Sequence, residues 1–378
     1  MLAQTPPMGW NTWNTFGTDI SEELILQTAD KFIELGLKDA GYEYIVIDDC
    51  WAEIRRDKNG RLSADPVKFP HGMKYLSDYI HSKGLKFGLY SNAGTRTCKG
   101  HASSFDHEFE DAETFAEWGV DYLKYDFCNK PAGVDGPLLY QRMGIALREC
   151  GRDIVYAACN SLPDVGEWIR ATGAHLYRTT TDIQDNPISV KNIAFSQLKK
   201  LGYSATGCYN DIDMLVVGMY NRGNAAVAFG GCTDDEYRMH FALWCMMGAP
   251  LMIGCDIRDT SPQSVELLKN KGLIRIDQDA ECRPPSVVGG QITDKLILFR
   301  MLTDNEYAIG IFNYTDSDER PILLNLYDCG LARTSRRGLT MTDVFTSETF
   351  ENVDETVAVP MKPHQCRVFI AKVVNLAD

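Results

Sequence analysis

The sequence predicts an α/β protein, a (β/α)8 TIM barrel followed by a C-terminal antiparallel β-sandwich domain, and three observations carry that expectation. Apolar, strand-like runs alternate with segments of helical period, making eight units by Asp279. Several of these runs close on charged residues, which is where such a barrel keeps its chemistry. From Pro284-Pro285 onward the texture changes to short β-rich runs broken by Asp, Asn, Ser, Gly and Pro. At 378 residues the chain exceeds one ordinary core, whereas a barrel of about 250 to 300 residues with a smaller module fits. The expected division is 1–285 and 286–378. A doubly wound sheet is the alternative, but it calls for a Gly-rich phosphate turn after its first strand, and Trp10-Asn11-Thr12-Trp13 is not one.

In chain order, a strand is expected around Gly9 to Trp13, then a helix carrying Ile25, Ala29, Phe32, Ile33, Leu35 and Leu37. The strands that follow are expected at 44–48, 85–90, 121–126, 154–159, 176–178, 211–214 and 251–254, with helices at about 73–83, 108–118, 136–149, 164–171, 189–200, 234–247 and 261–269. The C-terminal module shows strand signals at 296–301, 307–312, 322–326, 357–359 and 366–373.

Hydrophobic content of 44% and charged content of 24% suit a globular chain, and no run approaches the roughly 18 apolar residues of a membrane span. The net charge of -14 has no basic cluster within it, which argues against nucleic-acid and anionic-membrane partners and favours an uncharged small-molecule substrate. Twelve Cys are scattered without CxxC or Cys/His metal spacing. They read mostly as reduced core thiols, and with no basic-then-apolar leader at the N-terminus the expectation is a cytoplasmic protein. Homo-oligomerisation stays open.

The chemistry is expected at two strand ends above all. In Val120 to Asp126 an apolar and aromatic run closes on Lys124 and Asp126, which project to the same side because strand side chains alternate. An ammonium there would keep the carboxylate charged and nucleophilic. The run Tyr44 to Ile47 likewise ends on Asp48-Asp49. Trp13, Tyr90, Cys159, Arg178, Asp182 and Asp213 complete the set at the mouth. With no His among them, neither a metal site nor a Ser/His hydrolase follows. Carboxylates and cations with aromatic walls make a sugar pocket, and two further carboxylates can hydrolyse a glycoside. Taken alone, Arg178 reads equally as a salt-bridge partner and Asp182 as a cap before Pro187.

Met8-Gly9-Trp10-Asn11-Thr12-Trp13, Ile47-Asp48-Asp49-Cys50-Trp51, Phe87-Gly88-Leu89-Tyr90, Leu123-Lys124-Tyr125-Asp126-Phe127-Cys128, Arg178-Thr179-Thr180-Thr181-Asp182, Asn210-Asp211-Ile212-Asp213-Met214-Leu215 and Ala249-Pro250-Leu251 resemble glycoside hydrolase family 27, the α-galactosidases. The resemblance implies a cofactor-free and metal-free retaining exo-α-galactosidase. It makes Asp126 the nucleophile and Asp182 the acid/base, the latter protonated at neutral pH. Asp48 and Asp49 would hold the 4- and 6-hydroxyls, Lys124 the 3- and 4-hydroxyls and Arg178 the 2-hydroxyl. Trp13 and Tyr90 would be walls, with Asp213, Cys159 and Asn160 as further contacts, and Cys98 and Cys128 a family-like disulfide pair.

Three departures bear on specificity and compartment. The family's Cys-Glu-Trp is here Cys159-Asn160-Ser161, on the side facing carbon 2, which keeps an α-N-acetylgalactosaminidase open. A β-L-arabinopyranosidase is disfavoured by Asp49, and a non-catalytic sugar-binding barrel would lack Asp126 or Asp182. Thr18 and Ala174 stand where secreted relatives pair Cys50 and Cys159. The stretch Gly218 to Cys232 is long, and its sequence leaves open whether it lines the site or a subunit contact.

Overall fold

Period-two alternation explains the barrel interior. On the strands, Tyr44 and Val46, Tyr122, Val155 and Ala157, Leu176, Tyr209 and Met252 point inward and pack as one cluster. Continuing each register by two residues toward the C-terminal end replaces apolar side chains with Asp48, Lys124, Cys159, Arg178 and Asp211. The barrel core therefore ends in a polar layer.

This computed structural model describes residues 2–376 except 161, 163, 229, 290–293, 317–320 and 332–334. The parallel strands are β1 (Met8–Asn11), β2 (Tyr44–Ile47), β3 (Lys86–Asn92), β4 (Tyr122–Asp126), β5 (Val155–Ala158), β6 (Leu176–Arg178), β7 (Tyr209–Asp211) and β8 (Leu251–Ile253). They run in the order β7-β6-β5-β4-β3-β2-β1-β8. Leu215 joins the two ends: it bridges Ile253 in parallel, its N–H donating to Met252 O at 2.7 Å and its carbonyl accepting from Gly254 N at 2.9 Å.

Helices α1 (Trp13–Phe16), α2 (Glu22–Glu34), α3 (Gly72–Ser82), α4 (Glu108–Trp118), α5 (Gly136–Glu149), α6 (Val165–Trp168), α7 (Pro187–Gln197), α8 (Asp234–Met247), α9 (Pro262–Leu268) and α10 (Lys271–Asp277) connect the strands. Their starts follow from local chemistry. Asn186 caps α7 by accepting from Ser189 N, with Pro187 in the first turn. Thr233 and Glu236 form a reciprocal capping box on α8, which stops at left-handed Gly248. None of the described helices is long and apolar enough to cross a membrane.

Two strand boundaries differ from expectation. β1 stops at Asn11 because the Asn11 side chain accepts from Trp13 N at 2.8 Å and turns the chain into α1. β7 lies at Tyr209–Asp211 rather than 211–214, since Asp213 takes a positive φ of 76° that ends pairing.

Beyond the barrel come β9 (Ser286–Val287), β10 (Lys295–Met301), β11 (Glu306–Asn313), β12 (Ile322–Asn325), β13 (Arg337–Asp343), β14 (Thr349–Val353), β15 (Thr356–Val359) and β16 (Cys366–Asn375). They form an antiparallel sheet in the order β14-β13-β16-β11-β10-β9, with β12 and β15 paired separately. Alternation again sorts the faces: Ala308 and Phe312 of β11 join the barrel's core, whereas Ile309 and Ile311 join Leu324, Val359 and Phe369 in a second one. The first contact is close, because a Cβ on Gly310 would stand 3.0 Å from Met246 Cγ of α8. β9, β13 and β14 carry no signal among the predicted strands. β13 has only Leu339 and Met341 as apolar residues among Arg337, Gly338, Thr340, Thr342 and Asp343, and Glu351 and Asn352 are exposed on the edge strand β14.

Candidate active site

The C-terminal strand ends enclose a pocket of about 400 Å³ lined by Trp13, Asp48, Asp49, Tyr90, Lys124, Asp126, Cys159, Arg178, Asp182 and Asp213. Ten of the eleven catalytic and binding candidates thus meet in one cavity. Asn160 is the exception. It lines an adjoining groove, and its side-chain Oδ1 accepts from Leu162 N at 3.1 Å; residue 161 lies outside the described residues.

On one wall Lys124 Nζ donates to Asp48 Oδ2 at 2.7 Å, and Asn11 Nδ2 donates to the same oxygen at 2.9 Å. Burial works against the ammonium, but its negative neighbours, led by Asp48 and including Asp126, together with the Asp48 hydrogen bond outweigh it and raise the Lys124 pKa. Lys124 and Asp126 both face the pocket as their alternation predicts, and the Asp126 charge also supports the ammonium, but the hydrogen bond of Lys124 goes to Asp48. Tyr90 Oη donates to Asp126 Oδ2 at 2.8 Å and Phe127 N to Oδ1 at 2.8 Å, so Asp126 is oriented by neutral donors. Cys98 and Cys128 are joined in a disulfide with Cα atoms 5.2 Å apart. Cys98 Sγ packs 3.2 Å from Asp126 Oδ2, a contact without a proton to share. Among the described residues, the grouping Cys98, Asp126 and Cys128 has metal-ligand spacing, yet its bonded sulfurs offer no thiolate.

Asp49 accepts from Cys50 N at 2.6 Å and Lys99 N at 3.0 Å. Burial raises its pKa despite these bonds. Lys99 Nζ stands 5.6 Å over the Trp13 ring.

Arg178 organises the opposite wall. Its Nη2 donates to Asp182 Oδ1 at 2.9 Å and to Thr180 O at 3.2 Å, and lies 3.2 Å from Asp213 Oδ2. Its Nη1 approaches Cys159 Sγ at 3.8 Å, where burial pushes the thiol pKa up and keeps it uncharged. Asp213 Oδ2 also accepts from Ile183 N at 2.7 Å, which ties the segment bearing Asp182 to the end of β7. The Asp182 side chain is 87% exposed at the mouth. Partial desolvation by the surrounding mouth acts to raise its pKa, but the charge and hydrogen bond of Arg178, with the charge of Lys124, together prevail and lower it. The expectation of a protonated Asp182 at neutral pH is therefore corrected for the unliganded enzyme.

The long segment 218–232 lines the site. Asn224, Ala225 and Ala226 face the pocket, held by Asn224 N to Thr15 O at 3.1 Å and Ala225 N to Asn14 O at 2.8 Å. Its other anchor is Asp185, fully buried, whose carboxylate accepts from Asn221 N at 2.6 Å, Cys232 N at 3.3 Å and Tyr237 Oη at 2.9 Å. Sequence reasoning missed Asn14, Lys99, Gln184 and Asn224 as lining residues. Asn14 sits in the short helix α1 and the others in loops, none with a strand-end signal.

Comparison with known proteins settles the lineage. The model of the family described as Alpha galactosidase A, Melibiase_2, matches residues 5–279. The chain belongs to that family. Within the α-galactosidase family it is similar to the α-galactosidase of Cyamopsis tetragonoloba, 40% identical over 376 residues that cover 98% of this chain and 86% of the relative. It is 39% identical to α-galactosidase 2 of Arabidopsis thaliana, covering 97% and 89% of the two chains. The crystal structure of α-galactosidase I from Mortierella vinacea superposes with a TM-score of 0.89 at 31% identity, covering 100% and 99%. The protein is a glycoside hydrolase. Its ten unpaired cysteines fit the expected reduced thiols, seven of them buried, among the described residues.

Proposed function

We propose that this protein is a retaining exo-α-galactosidase in which Asp126 is the nucleophile and Asp182 the acid/base. The observation that carries the reading is the division of labour between the walls. Asp126 is fixed by Tyr90 and its own turn at the pocket floor, while Asp182 is exposed at the mouth, where a leaving group departs.

In the first step an Asp126 oxygen bonds to the anomeric carbon as the glycosidic C–O bond breaks, and Asp182 gives its proton to the departing oxygen. Water then attacks the same carbon, Asp182 takes its proton and the Asp126 ester is released. Two inversions give retention. Lys124 and Asp48, already paired at 2.7 Å, present a cation and an anion to vicinal hydroxyls. Asp49 takes the hydroxymethyl group, Arg178 the 2-hydroxyl, and Trp13 and Tyr90 the ring's apolar faces. Because Arg178 lowers the Asp182 pKa, its engagement with a sugar hydroxyl loosens that hold and lets Asp182 carry a proton when one is needed. We further take 1–285 as the catalytic unit and 286–378 as its supporting sandwich.

A 2-acetamido specificity is the second reading, favoured by Asn160-Ser161 standing in place of the family's Glu-Trp on the side facing carbon 2. Initial rates on nitrophenyl α-galactoside, α-N-acetylgalactosaminide and β-L-arabinopyranoside, with NMR of the first anomer released, test both readings. Galactoside hydrolysis giving the α-anomer is expected. A higher kcat/KM on the N-acetylgalactosaminide, or release of the β-anomer, overturns the proposal.

A further inference from the structure

The disulfide of Cys98 and Cys128 is built into the pocket wall, and Cys98 is exposed there. Both sulfurs face one carboxylate oxygen: Asp126 Oδ2 lies 3.2 Å from Cys98 Sγ and 3.9 Å from Cys128 Sγ. We propose that reduction of this bridge opens a binding site for a thiophilic divalent cation, zinc above all, held by the two thiolates and Asp126, and that an ion seated there silences the enzyme. The site stands on geometry; only the loss of turnover rests on the reading of Asp126 as the nucleophile.

Three observations support it. The first is distance. Zinc takes thiolates at about 2.3 Å and carboxylate oxygens at about 2.0 Å, and tetrahedral angles then put sulfur and oxygen about 3.5 Å apart. That value falls between the two separations found. The second is the frame, because the two loops are fastened to each other without the bridge. Cys128 N donates to Asn92 Oδ1 at 2.6 Å and Asn92 Nδ2 to Cys128 O at 2.9 Å. Thr95 N donates to Asn129 O at 3.1 Å and Asn129 Nδ2 to Thr97 O at 2.8 Å. Breaking the bond between the sulfurs therefore leaves two thiols side by side, and side-chain rotation parts them to the roughly 3.8 Å that a shared ion needs. The third is access. The ion enters from the pocket, around which carboxylates outnumber cations, and with three protein ligands it keeps a position open to water.

The step balances. A dithiol gives up two electrons and two protons, becomes a disulfide itself and leaves Cys98 and Cys128 as thiols. The cation then displaces both thiol protons to solvent. Asp126, its charge neutralised by the ion, no longer attacks the anomeric carbon.

The test uses the full chain, reduced with dithiothreitol, freed of it by anaerobic gel filtration, and titrated with cadmium as an optical probe and with zinc. The reduced enzyme should still melt cooperatively and bind one cadmium ion with a thiolate charge-transfer band. The oxidised enzyme, which carries the other ten thiols, should not show it. Nor should Cys98→Ser/Cys128→Ser after the same treatment, and reduced Asp126→Ala should bind cadmium at least about tenfold more weakly. Zinc should lower turnover of an aryl galactoside by the reduced enzyme at least about tenfold, and EDTA should restore it. No band on reduction, a band that survives the serine replacements, or loss of cooperative melting on reduction overturns the site. A saturated site with undiminished turnover leaves the cation site standing and overturns the inhibition, and with it the assignment of Asp126 as nucleophile.

Discussion

Arg178 Nη2 stands 2.9 Å from Asp182 Oδ1, so one buried guanidinium grips the carboxyl that must later donate a proton. Its charge and hydrogen bond, with the charge of Lys124, together overcome partial desolvation and lower the Asp182 pKa. The protonated form is then present only on the acid side of the ordinary carboxylate range and is depleted as pH rises. For a substrate with a poor leaving group, kcat/KM should therefore be highest at acid pH and fall toward neutrality. Initial rates between about pH 3 and 8 check this, and a plateau up to pH 8 would show that Asp182 is not the group being read.

Asp126→Ala should lower turnover of an activated aryl galactoside by at least about 10⁴-fold while the melting temperature stays close to that of the wild type. Azide should partly restore turnover by attacking the anomeric carbon from the vacated side, giving the β-galactosyl azide from an α-galactoside. Wild-type-like rates in this variant would remove Asp126 from the chemistry.

For Asp182→Ala the loss should depend on the leaving group. Galactosides of poor leaving groups should slow by about 10²-fold or more, whereas glycosylation by dinitrophenyl galactoside is largely spared, because proton donation matters when the departing oxygen is basic. Equal losses for both would assign Asp182 a binding role only.

Asp185 is a buried carboxylate three residues beyond Asp182, and it receives donors from both ends of the 218–232 segment and from α8. Asp185→Ala leaves those donors unpaired, so a loss of at least about 2 kcal/mol is expected. Urea denaturation measures it. The same variant should raise KM for an aryl galactoside, since Asn224 and Ala225 line the pocket through this anchor. An unchanged midpoint would mean that the backbone bonds to Thr15 and Asn14 hold the segment without it.

A chain cut after residue 285 should not yield a soluble barrel. Leu296, Leu298, Ala308 and Phe312 belong to the same core as the barrel helices, and removing their sheet bares an apolar face on α8. Size-exclusion chromatography of the truncated chain checks this; a monodisperse, cooperatively melting 1–285 fragment would contradict it.

How much of this could be read from the chain depended on range. Tyr122 to Asp126 announced both a buried strand and its reactive end because alternation is local. The same rule placed Asp48, Tyr90 and Arg178. By contrast, the Lys124 to Asp48 contact spans 76 residues, and no periodicity encodes which carboxylate an ammonium will choose. Asn224 reaches the pocket only because Gly223 passes close to Thr15, where an added Cβ would stand 2.6 Å from Thr15 Cα. That is tertiary information. The state of Asp182 was misjudged for a related reason: the sequence places Arg178 four residues away but does not reveal that one of its nitrogens lies within 2.9 Å.

The barrel's ring of staves is stitched between β7 and β8 by the single residue Leu215. The chain from 216 to 232 leaves from this seam and returns to α8. Substitutions and insertions there lengthen a flap without disturbing the register of the other seven strand pairings, whereas the same change between β3 and β4 would break into a five-residue ladder. The seam is thus the cheapest place for this scaffold to acquire a new preference, and variation in sugar selectivity among its kin should concentrate beside it.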